Sequence, residues 1–242
     1  MKDPAGNTLE LVVARHREDL AWVRRVPGAW RVTVYDKGGD AVDAVQLPII
    51  TLPNLGREAH TYLQHVVTRY DTLAEVTVFC QGRPFDHVPD FHRRLQRLAE
   101  GADAVDGFRW MGFVVDWDDA GGARLFRHWS KNDDGRGLDL AGYWRALWST
   151  PPPERFMFFL GAHMAVTAAQ IRAQPRAFYE RALEVSMAHP DAAHCFERTW
   201  DRVFGAEGIP ADLRERPMPV YLRPIKRLGI TWEDVPAKYR GW

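Results

Sequence analysis

Apolar and polar positions along the first hundred residues form a pattern that predicts strands separated by helices. Residues 9–14 (LELVVA), 30–35 (WRVTVY), 46–52 (QLPIITL) and 76–80 (VTVFC) are short apolar runs with the composition of strands. Apolar residues at helical spacing follow the third run, from a turn at Asn54 to about Tyr70, and recur over residues 89–100. This alternation predicts an α/β fold with a central, mostly parallel sheet flanked by helices.

The second half of the chain is less regular. Residues 107–119 predict one strand or a hairpin, residues 120–137 a loop, and residues 156–166 an apolar segment before a short helix. Amphipathic helices are predicted over residues 176–187 and 192–204, and residues 206–242 form a tail that we expect to be irregular. We predict a single α/β domain over residues 1–242, with halves at residues 9–100 and 101–205.

Composition narrows the functional classes. Lys plus Arg and Asp plus Glu number 32 each, so the formal net charge is zero, which argues against nucleic-acid binding driven by bulk charge. Two cysteines form no disulfide framework, which favours a reducing compartment. No apolar stretch reaches the roughly 20 residues that span a bilayer, and the first residues lack a signal-peptide pattern. We expect a cytoplasmic protein with no membrane span, and its oligomeric state stays open.

Polar residues gather at the predicted carboxyl ends of four strands. The clusters are residues 15–19, residues 36–37, residues 54–58 and residues 81–87. Because the carboxyl ends of parallel strands meet at one edge of a sheet, and ligands bind there, the repetition predicts a ligand site. The candidate ligand-binding residues are Arg15, Glu18, Asp36, Lys37, Asn54, Gly56, Arg57, Glu58, His60, Gln81 and Gly82.

Each of these residue types has a chemical role and a structural alternative. Arg15 and Arg57 suit bidentate contacts with phosphate, or surface pairs with neighbouring carboxylates. Asp36 suits a hydrogen bond from a base or ribose hydroxyl, or a plain turn. His60 and Tyr62 lie two apart on the predicted helix, so at most one faces the site, and we favour His60.

Several strings resemble a known family. The chain resembles DUF3431, an uncharacterised family, in the strings VVARHREDLAWV, VTVYDKG, LPNLGREAHTYLQHVVTRYDTL and VTVFCQGRPFDH. The later strings GAHMAVTAAQIRAQPRAFYERAL and ERTWDRVFG are similar to the C-terminal part of that family. The resemblance covers most of residues 9–205. It implies common descent and, by itself, no activity.

A looser resemblance implies a function. The layout is similar to GT-A glycosyltransferases, and an N-x-G-R-[DE] elbow also occurs in bacterial polysaccharide glycosyltransferases. The resemblance implies a GT-A-like domain that takes a nucleotide-sugar donor in residues 9–100 and a small-molecule or glycan acceptor in residues 101–205. It also implies that Glu197 is a catalytic base, that His87 is a ligand or general acid, and that His163 and Trp200 contact the acceptor. The alternatives are an ion pair of Glu197 with Arg198, a turn-capping His87 and a core His163.

The family of GT-A enzymes usually holds Mn²⁺ or Mg²⁺ on a D-x-D motif after the fourth strand. This chain has Cys80-Gln81-Gly82 there, and a divalent metal prefers carboxylate oxygens. Asp86 is the candidate metal ligand that could replace the missing carboxylates of the motif. Residues 116–119 (DWDD) match the motif in letters but equally suit a solvated turn. A metal-independent transferase, with Arg and Lys neutralising the phosphates, is equally open.

Two rival classes remain. Nine histidines and the spacing of Asp86, His87 and His92 suit a metal-dependent hydrolase or oxygenase. A non-catalytic ligand-binding module that lacks the D-x-D motif is the other alternative.

Overall fold

The computed structural model describes residues 8–39, 47–129 and 135–240. Its strands are β1 (Leu9–Arg15), β2 (Trp30–Asp36), β3 (Ile49–Thr51), β4 (Val76–Gln81), β5 (Phe108–Trp110), β6 (Val114–Asp119), β7 (Arg155–Phe159), β8 (Met164–Thr167) and β9 (Val220–Tyr221). Its α-helices are α1 (Arg57–Arg69), α2 (Phe91–Ala99), α3 (Phe126–Trp129), α4 (Leu140–Leu147), α5 (Ala168–Arg172), α6 (Arg176–Ala188), α7 (Ala192–Glu197), α8 (Trp200–Val203) and α9 (Ala211–Arg214).

A six-stranded sheet has the order β3-β2-β1-β4-β8-β5. The first four strands in this order are mutually parallel, whereas β8 runs antiparallel to both β4 and β5. The chain proceeds from β1 outward to β2 and β3, then returns to place β4 on the other side of β1. The strand order therefore reverses at β1, and such a reversal opens a crevice at the carboxyl ends of the strands. The predicted α/β class with a mostly parallel sheet is confirmed.

Alternate side chains of β1 pack on the two opposite faces of this sheet. Leu11 and Val13 pack on one face with Phe91 and Leu95 of α2, whereas Val12 packs on the opposite face with the buried side of α1. Side chains of a strand alternate between faces, so a strand buried on both sides needs an unbroken apolar run. Residues 11–14 of the LELVVA run meet this requirement, whereas Glu10 is buried as a carboxylate that accepts hydrogen bonds from Arg31 and Thr33.

A second sheet, of order β7-β6-β9, lies beyond the first. Both of its pairings are antiparallel. Residues 107–119 therefore form neither one strand nor a hairpin, because β5 joins the first sheet and β6 the second. Residues 156–166 divide in the same way between β7 and β8. The apolar runs were recognisable, but each contains a short turn that redirects the chain into another sheet.

Two further predictions need correction. Residues 192–204 are not one helix, since α7 ends at Glu197 and α8 begins at Trp200. The tail is not wholly irregular, since it supplies α9 and also β9, which pairs with β6. Within the described ranges, no helix combines the length and apolarity that crossing a bilayer requires.

Candidate functional site

A cleft of about 470 Å³ lies at the carboxyl ends of β1, β2 and β4. We call it the polar cleft, because ten of its eleven lining residues are polar or charged. The volume falls in the range of roughly 300–1,000 Å³ that is usual for small-molecule sites. From the predicted set, the residues that line it are Arg15, Glu18, Lys37, Asn54, Arg57, Glu58, Gln81 and Asp86.

The ends of β1 and β2 are joined by a buried ion pair. Arg15 Nη1 lies 2.6 Å from Asp36 Oδ1, both side chains are 5% exposed, and Arg15 Nε donates to the Glu18 carbonyl. Asp36 also accepts from the backbone N–H groups of the turn that follows it. Asp36 thus holds the Arg15 side chain in place, and it does not itself line the cleft.

The elbow between β3 and α1 has a left-handed backbone. Gly56 and Arg57 have φ of 56° and 50°, a conformation that glycine adopts readily and other residues rarely. The Lys37 ammonium donates to the carbonyls of Leu55, at 2.6 Å, and of Arg57. Burial lowers the pKa of Lys37 to about 8, although the nearby Glu58 carboxylate opposes this shift. Lys37 therefore ties the elbow to the end of β2.

Glycine at position 56 is also required by packing. A Cβ built there would lie 2.5 Å from the Ser186 carbonyl oxygen of α6 and 2.8 Å from His60 Cβ. The elbow thus presses against α6, and α1 begins at the cleft. The positive end of the α1 dipole and its first N–H groups lie beside the polar cleft, an arrangement that suits an anionic ligand.

Gly82 has a similar role at the end of β4. A Cβ there would lie 2.6 Å from Glu18 Oε2, so the Glu18 carboxylate packs directly on the glycine backbone. Glu18 Oε2 also accepts from the His16 N–H at 2.5 Å. Glu18 is a wall of the cleft, and Gly82 supports it without lining the cleft.

A second cleft, of about 700 Å³, adjoins the first. We call it the aromatic cleft, because Phe126, Phe158 and Tyr221 contribute to its walls. Arg57, Glu58 and Gln81 line both clefts, so the two spaces share one wall. From the predicted set, His87 and Glu197 also line it.

Glu197 is firmly held at the aromatic cleft. Its Oε1 accepts from the Gly161 N–H at 2.7 Å, and Oε2 lies 3.8 Å from His194 Nδ1 and 3.7 Å from Arg198 Nη1. Burial raises the pKa of Glu197, but His194, Arg198 and the Gly161 N–H outweigh burial and lower it to about 2. This carboxylate is ionised at neutral pH and is a weak base.

Glu58 has the opposite electrostatic environment. Its carboxylate is 11% exposed and lies 3.8 Å from Arg57 Nε. Burial raises the pKa of Glu58, the negative charge of Glu197 raises it further, and Arg57 and His194 oppose the rise. Arg57 in turn reaches His194 Nε2 at 3.1 Å, which connects the start of α1 with α7. Two carboxylates with opposite pKa shifts therefore face one cleft.

His87 lines the aromatic cleft beside Gly161. A Cβ on Gly161 would lie 2.3 Å from the His87 Cγ, so the His87 side chain packs directly against this glycine. The Gly161 N–H holds Glu197 at the same point. His87 and Glu197 thus flank one backbone segment, between β7 and β8.

Three predicted residues are buried away from both clefts. His60 is 3% exposed, and burial together with the Lys37 charge lowers its pKa to about 4. His163 is 1% exposed, and burial, with a contribution from His87, lowers its pKa to about 3. Trp200 is fully buried and packs on Phe196 and Phe204. His60, His163 and Trp200 therefore line neither the polar cleft nor the aromatic cleft.

The predicted metal ligands do not assemble. Asp86 is 63% exposed and lies 3.6 Å from Arg83, and Gln81 offers only an amide. Among the residues that the structure describes, no group of three or more His, Cys, Asp or Glu side chains is placed to hold a metal ion. These residues do not fit a divalent cation.

The acidic run at residues 116–119 is structural. Asp118 is fully buried and accepts from the N–H groups of Leu125 and Phe126 and from Arg198 Nε at 3.0 Å. Asp116 pairs with Arg124 at 2.7 Å, and Asp119 accepts from the N–H groups of the turn after β6. This run organises the turn into α3 instead of forming a metal site.

Sequence reasoning missed the aromatic walls. Phe126, Phe158 and Tyr221 come from three separated segments, and no local pattern links them. His194 was also missed, although its spacing of three residues from Glu197 places both on one side of a helix.

The fold and the two clefts define the class of this chain as an α/β protein with ligand-sized spaces at the switch point of its sheet. The chain belongs to the family described as "Protein of unknown function (DUF3431)", whose model matches residues 11–215. The predicted membership is confirmed, and the match includes every lining residue of the polar cleft. A search of curated proteins found no match to this chain.

Proposed function

We propose that this chain is a glycosyltransferase-like enzyme of GT-A-like fold, which moves a sugar from a nucleotide-sugar donor to a hydroxyl or amine acceptor. The observation that carries the proposal is the shared wall of Arg57, Glu58 and Gln81 between two clefts. A transferase needs two substrates side by side with the reacting groups at their boundary. The reversal of strand order at β1 further supports a nucleotide site in the polar cleft.

The polar cleft suits the nucleoside diphosphate part of the donor. Arg57 and Lys37 provide positive charge beside the start of α1, where free N–H groups favour an anion. We propose a transfer without a metal ion, because the described side chains at the end of β4 do not form a cation site. The charge that develops on the leaving diphosphate is then met by these cationic groups.

The aromatic cleft suits the acceptor. Its aromatic walls offer apolar faces to a sugar ring, while Glu58, Glu197 and His87 offer polar contacts. For an inverting transfer, we assign the proton acceptor to Glu58. The acceptor O–H gives its proton to Glu58 while the oxygen bonds to C1 of the sugar, and the bond from C1 to the diphosphate breaks with its electron pair on the diphosphate.

Glu58 suits this role better than Glu197. A general base works best when its pKa lies near the working pH, and the pKa of Glu58 is raised whereas that of Glu197 is about 2. Glu197, predicted from sequence as the base, instead fixes the position of His194 and the Gly161 backbone. We retain a cytoplasmic location as a prediction from the composition alone.

The first experiment is binding of a panel of nucleoside diphosphates and nucleotide sugars, measured by calorimetry and thermal unfolding with EDTA and with Mn²⁺. We expect one diphosphate nucleotide to bind in EDTA and, at about 100 times its dissociation constant, to stabilise the fold by roughly 2.7 kcal/mol. Arg57→Gln should weaken binding about tenfold or more, because it removes a charge-assisted contact. The exposed Arg145→Gln on α4 is the matched control.

Two outcomes would contradict the proposal. If no nucleotide binds but a transition metal alone stabilises the protein, the hydrolase or oxygenase alternative gains support. If a nucleotide sugar binds without sugar transfer or donor hydrolysis with any acceptor, and Glu58→Gln leaves binding unchanged, the chain is a binding module.

A further inference from the structure

A third cavity, of about 170 Å³, lies on the α2 side of the six-stranded sheet. It shares no lining residue with the polar or the aromatic cleft. Its apolar lining residues are Leu98, Met111 and Ala165. We call it the arginine cavity, because its remaining lining residues are Arg93, Arg94, Arg97, Arg109, Asp90 and Asp103.

The arginine cavity concentrates positive charge in a chain whose formal net charge is zero. Four arginines and two aspartates line it, which leaves an excess of two positive charges. Arg223, from the segment after β9, adds another guanidinium, because its Nη1 lies 3.4 Å from Asp90 Oδ1. An excess of like charge in a partly enclosed site is costly unless an anion compensates it.

Asp90 is the ion-pair partner of both Arg94 and Arg223. Arg94 Nε lies 3.1 Å from Asp90 Oδ1, so two guanidiniums share one carboxylate that is 14% exposed. Arg223 Nη1 is buried and has no hydrogen-bond partner within the described residues. Burial lowers the pKa of Arg94; Asp90 opposes the shift, whereas Arg223 and Arg109 add to it. The Arg223 guanidinium therefore retains a donor for a further anion.

Several guanidiniums of the arginine cavity are held in place by the loop that follows α2. Arg97 donates to the Ala102 carbonyl at 3.1 Å, and Arg109 donates to the Ala104 carbonyl at 2.6 Å. Arg109 also pairs with Asp103 at 2.7 Å. Because these side chains are already ordered, binding of an anion costs little additional side-chain conformational entropy. Planar guanidiniums match the oxygens of a phosphate group.

We propose that the arginine cavity binds a phosphate group, either as inorganic phosphate or as the phosphomonoester end of a small molecule. A phosphate dianion compensates two of the three excess positive charges that remain when Arg223 is counted with the four lining arginines. The volume of about 170 Å³ is below the roughly 300 Å³ at which ordinary small-molecule pockets begin, so a whole nucleotide does not fit. The apolar lining residues suit a short carbon chain beside the phosphate. This site is separate from the proposed transferase clefts.

The test is calorimetric titration of the full chain with inorganic phosphate at neutral pH and constant ionic strength, followed by glycerol 3-phosphate. Arg93→Gln/Arg97→Gln should weaken phosphate binding about tenfold, which equals about 1.4 kcal/mol. Both replaced side chains are exposed, so the fold should survive. The control is Arg145→Gln/Arg181→Gln, which also replaces two exposed helical arginines, one of which donates to a backbone carbonyl. Its affinity should stay within twofold of the original.

The two sources of phosphate give different results. Tighter binding of glycerol 3-phosphate than of inorganic phosphate would assign the cavity to a phosphorylated metabolite, and the reverse order would assign it to free phosphate. The proposal is overturned if millimolar phosphate does not bind, or if Arg93→Gln/Arg97→Gln binds it as tightly as the control. It is also overturned if Arg57→Gln abolishes phosphate binding, because the anion would then occupy the polar cleft.

Discussion

Glu58 at the start of α1 and Glu197 at the end of α7 line the same cleft and have opposite pKa shifts. The pKa of Glu58 is raised by burial and by the charge of Glu197, whereas the pKa of Glu197 is lowered to about 2 by His194, Arg198 and the Gly161 N–H, against burial. A pair of carboxylates with divergent pKa values is typical of sites that transfer protons. Because the charge of Glu197 affects the pKa of Glu58, replacing each glutamate in turn should distinguish their roles.

Glu58→Gln should reduce transfer by about 10²–10⁴-fold, because general-base catalysis contributes this much. Glu197→Gln should cost less, since that carboxylate positions its neighbours. It should also move the acid limb of the kcat/KM profile to lower pH, because removing its charge lowers the pKa of Glu58. The measurement is the pH dependence of kcat/KM for both variants. An acid limb that stays in place after Glu197→Gln would refute the coupling.

The acid stability of the fold should depend on Glu197. Its folded pKa of about 2 lies below the ordinary value of 4.5, so its stabilising contribution is complete above pH 4.5 and is lost as the pH falls toward 2. Urea unfolding at several pH values should show Glu197→Gln to be less stable than the original by roughly 2–3 kcal/mol at neutral pH. The difference should shrink in acid. A constant difference across this range would contradict the assignment.

Replacing Gly56 with Ala should be costly for two reasons. The left-handed φ of 56° costs a side chain about 1–2 kcal/mol, and the close Ser186 carbonyl adds an overpacking term of about 1–3 kcal/mol. Gly229→Ala is the matched control, since its φ is 70° and a Cβ there meets nothing within 4 Å. Chemical denaturation should show a larger loss for Gly56→Ala than for Gly229→Ala. Equal losses of stability in the two variants would contradict the prediction, because they would mean that α6 moves aside without cost.

The ion pair of Asp118 and Arg198 should dominate the stability of the second sheet. The two side chains are 0% and 4% exposed, and Arg198 also stacks on Phe158 at 4.7 Å. Arg198→Met leaves a buried carboxylate without its cation and should cost about 3–5 kcal/mol. Asp118→Asn/Arg198→Met should recover part of this loss, because the uncompensated charge is gone. Arg145→Met on the surface serves as the control. A comparable loss of stability in that variant would contradict the role assigned to the ion pair of Asp118 and Arg198.

His163→Phe should reduce the sensitivity of the fold to mild acid. His163 is buried with a pKa of about 3, so between pH 6.5 and 3 the unfolded chain binds a proton that the folded chain does not. Stability therefore falls by up to about 1.4 kcal/mol per pH unit from this residue. The variant should lose less stability between pH 6.5 and 5, whereas the exposed His128→Gln should behave like the original protein. Identical slopes for His163→Phe and the original would contradict this prediction.

The regular first half of the fold could be predicted because its signals are local. β1, β2 and β4 follow from short apolar runs, and the elbow at Gly56 follows from turn chemistry before a helix. The separation of β5 from β6 could not be predicted, since the pairing partner of a strand lies far away in sequence. The pairing of β9 with β6 is hidden for the same reason.

The candidate site was predictable where polarity and strand ends coincide. Arg57, Glu58 and Gln81 were found in this way, and they form the wall between the clefts. His163 and Trp200 lie buried and line neither cleft. For His163 the sequence could not show this, because a polar group within an apolar segment has the same sequence signature whether it faces a ligand or the core. The roles of the two glutamates depend on tertiary neighbours, so sequence alone favoured Glu197.

Because β9 pairs with β6 from a position late in the chain, the second sheet and the aromatic cleft are completed last during synthesis. All six strands of the first sheet and the polar cleft are encoded by residue 167, whereas Tyr221 of the aromatic cleft follows more than fifty residues later. Because α6, which packs against the Gly56 elbow, also precedes Tyr221, a nascent chain can assemble the proposed donor side before the proposed acceptor side is complete. A product truncated between α6 and Tyr221 would keep the lining residues of the polar cleft and lack one wall of the aromatic cleft.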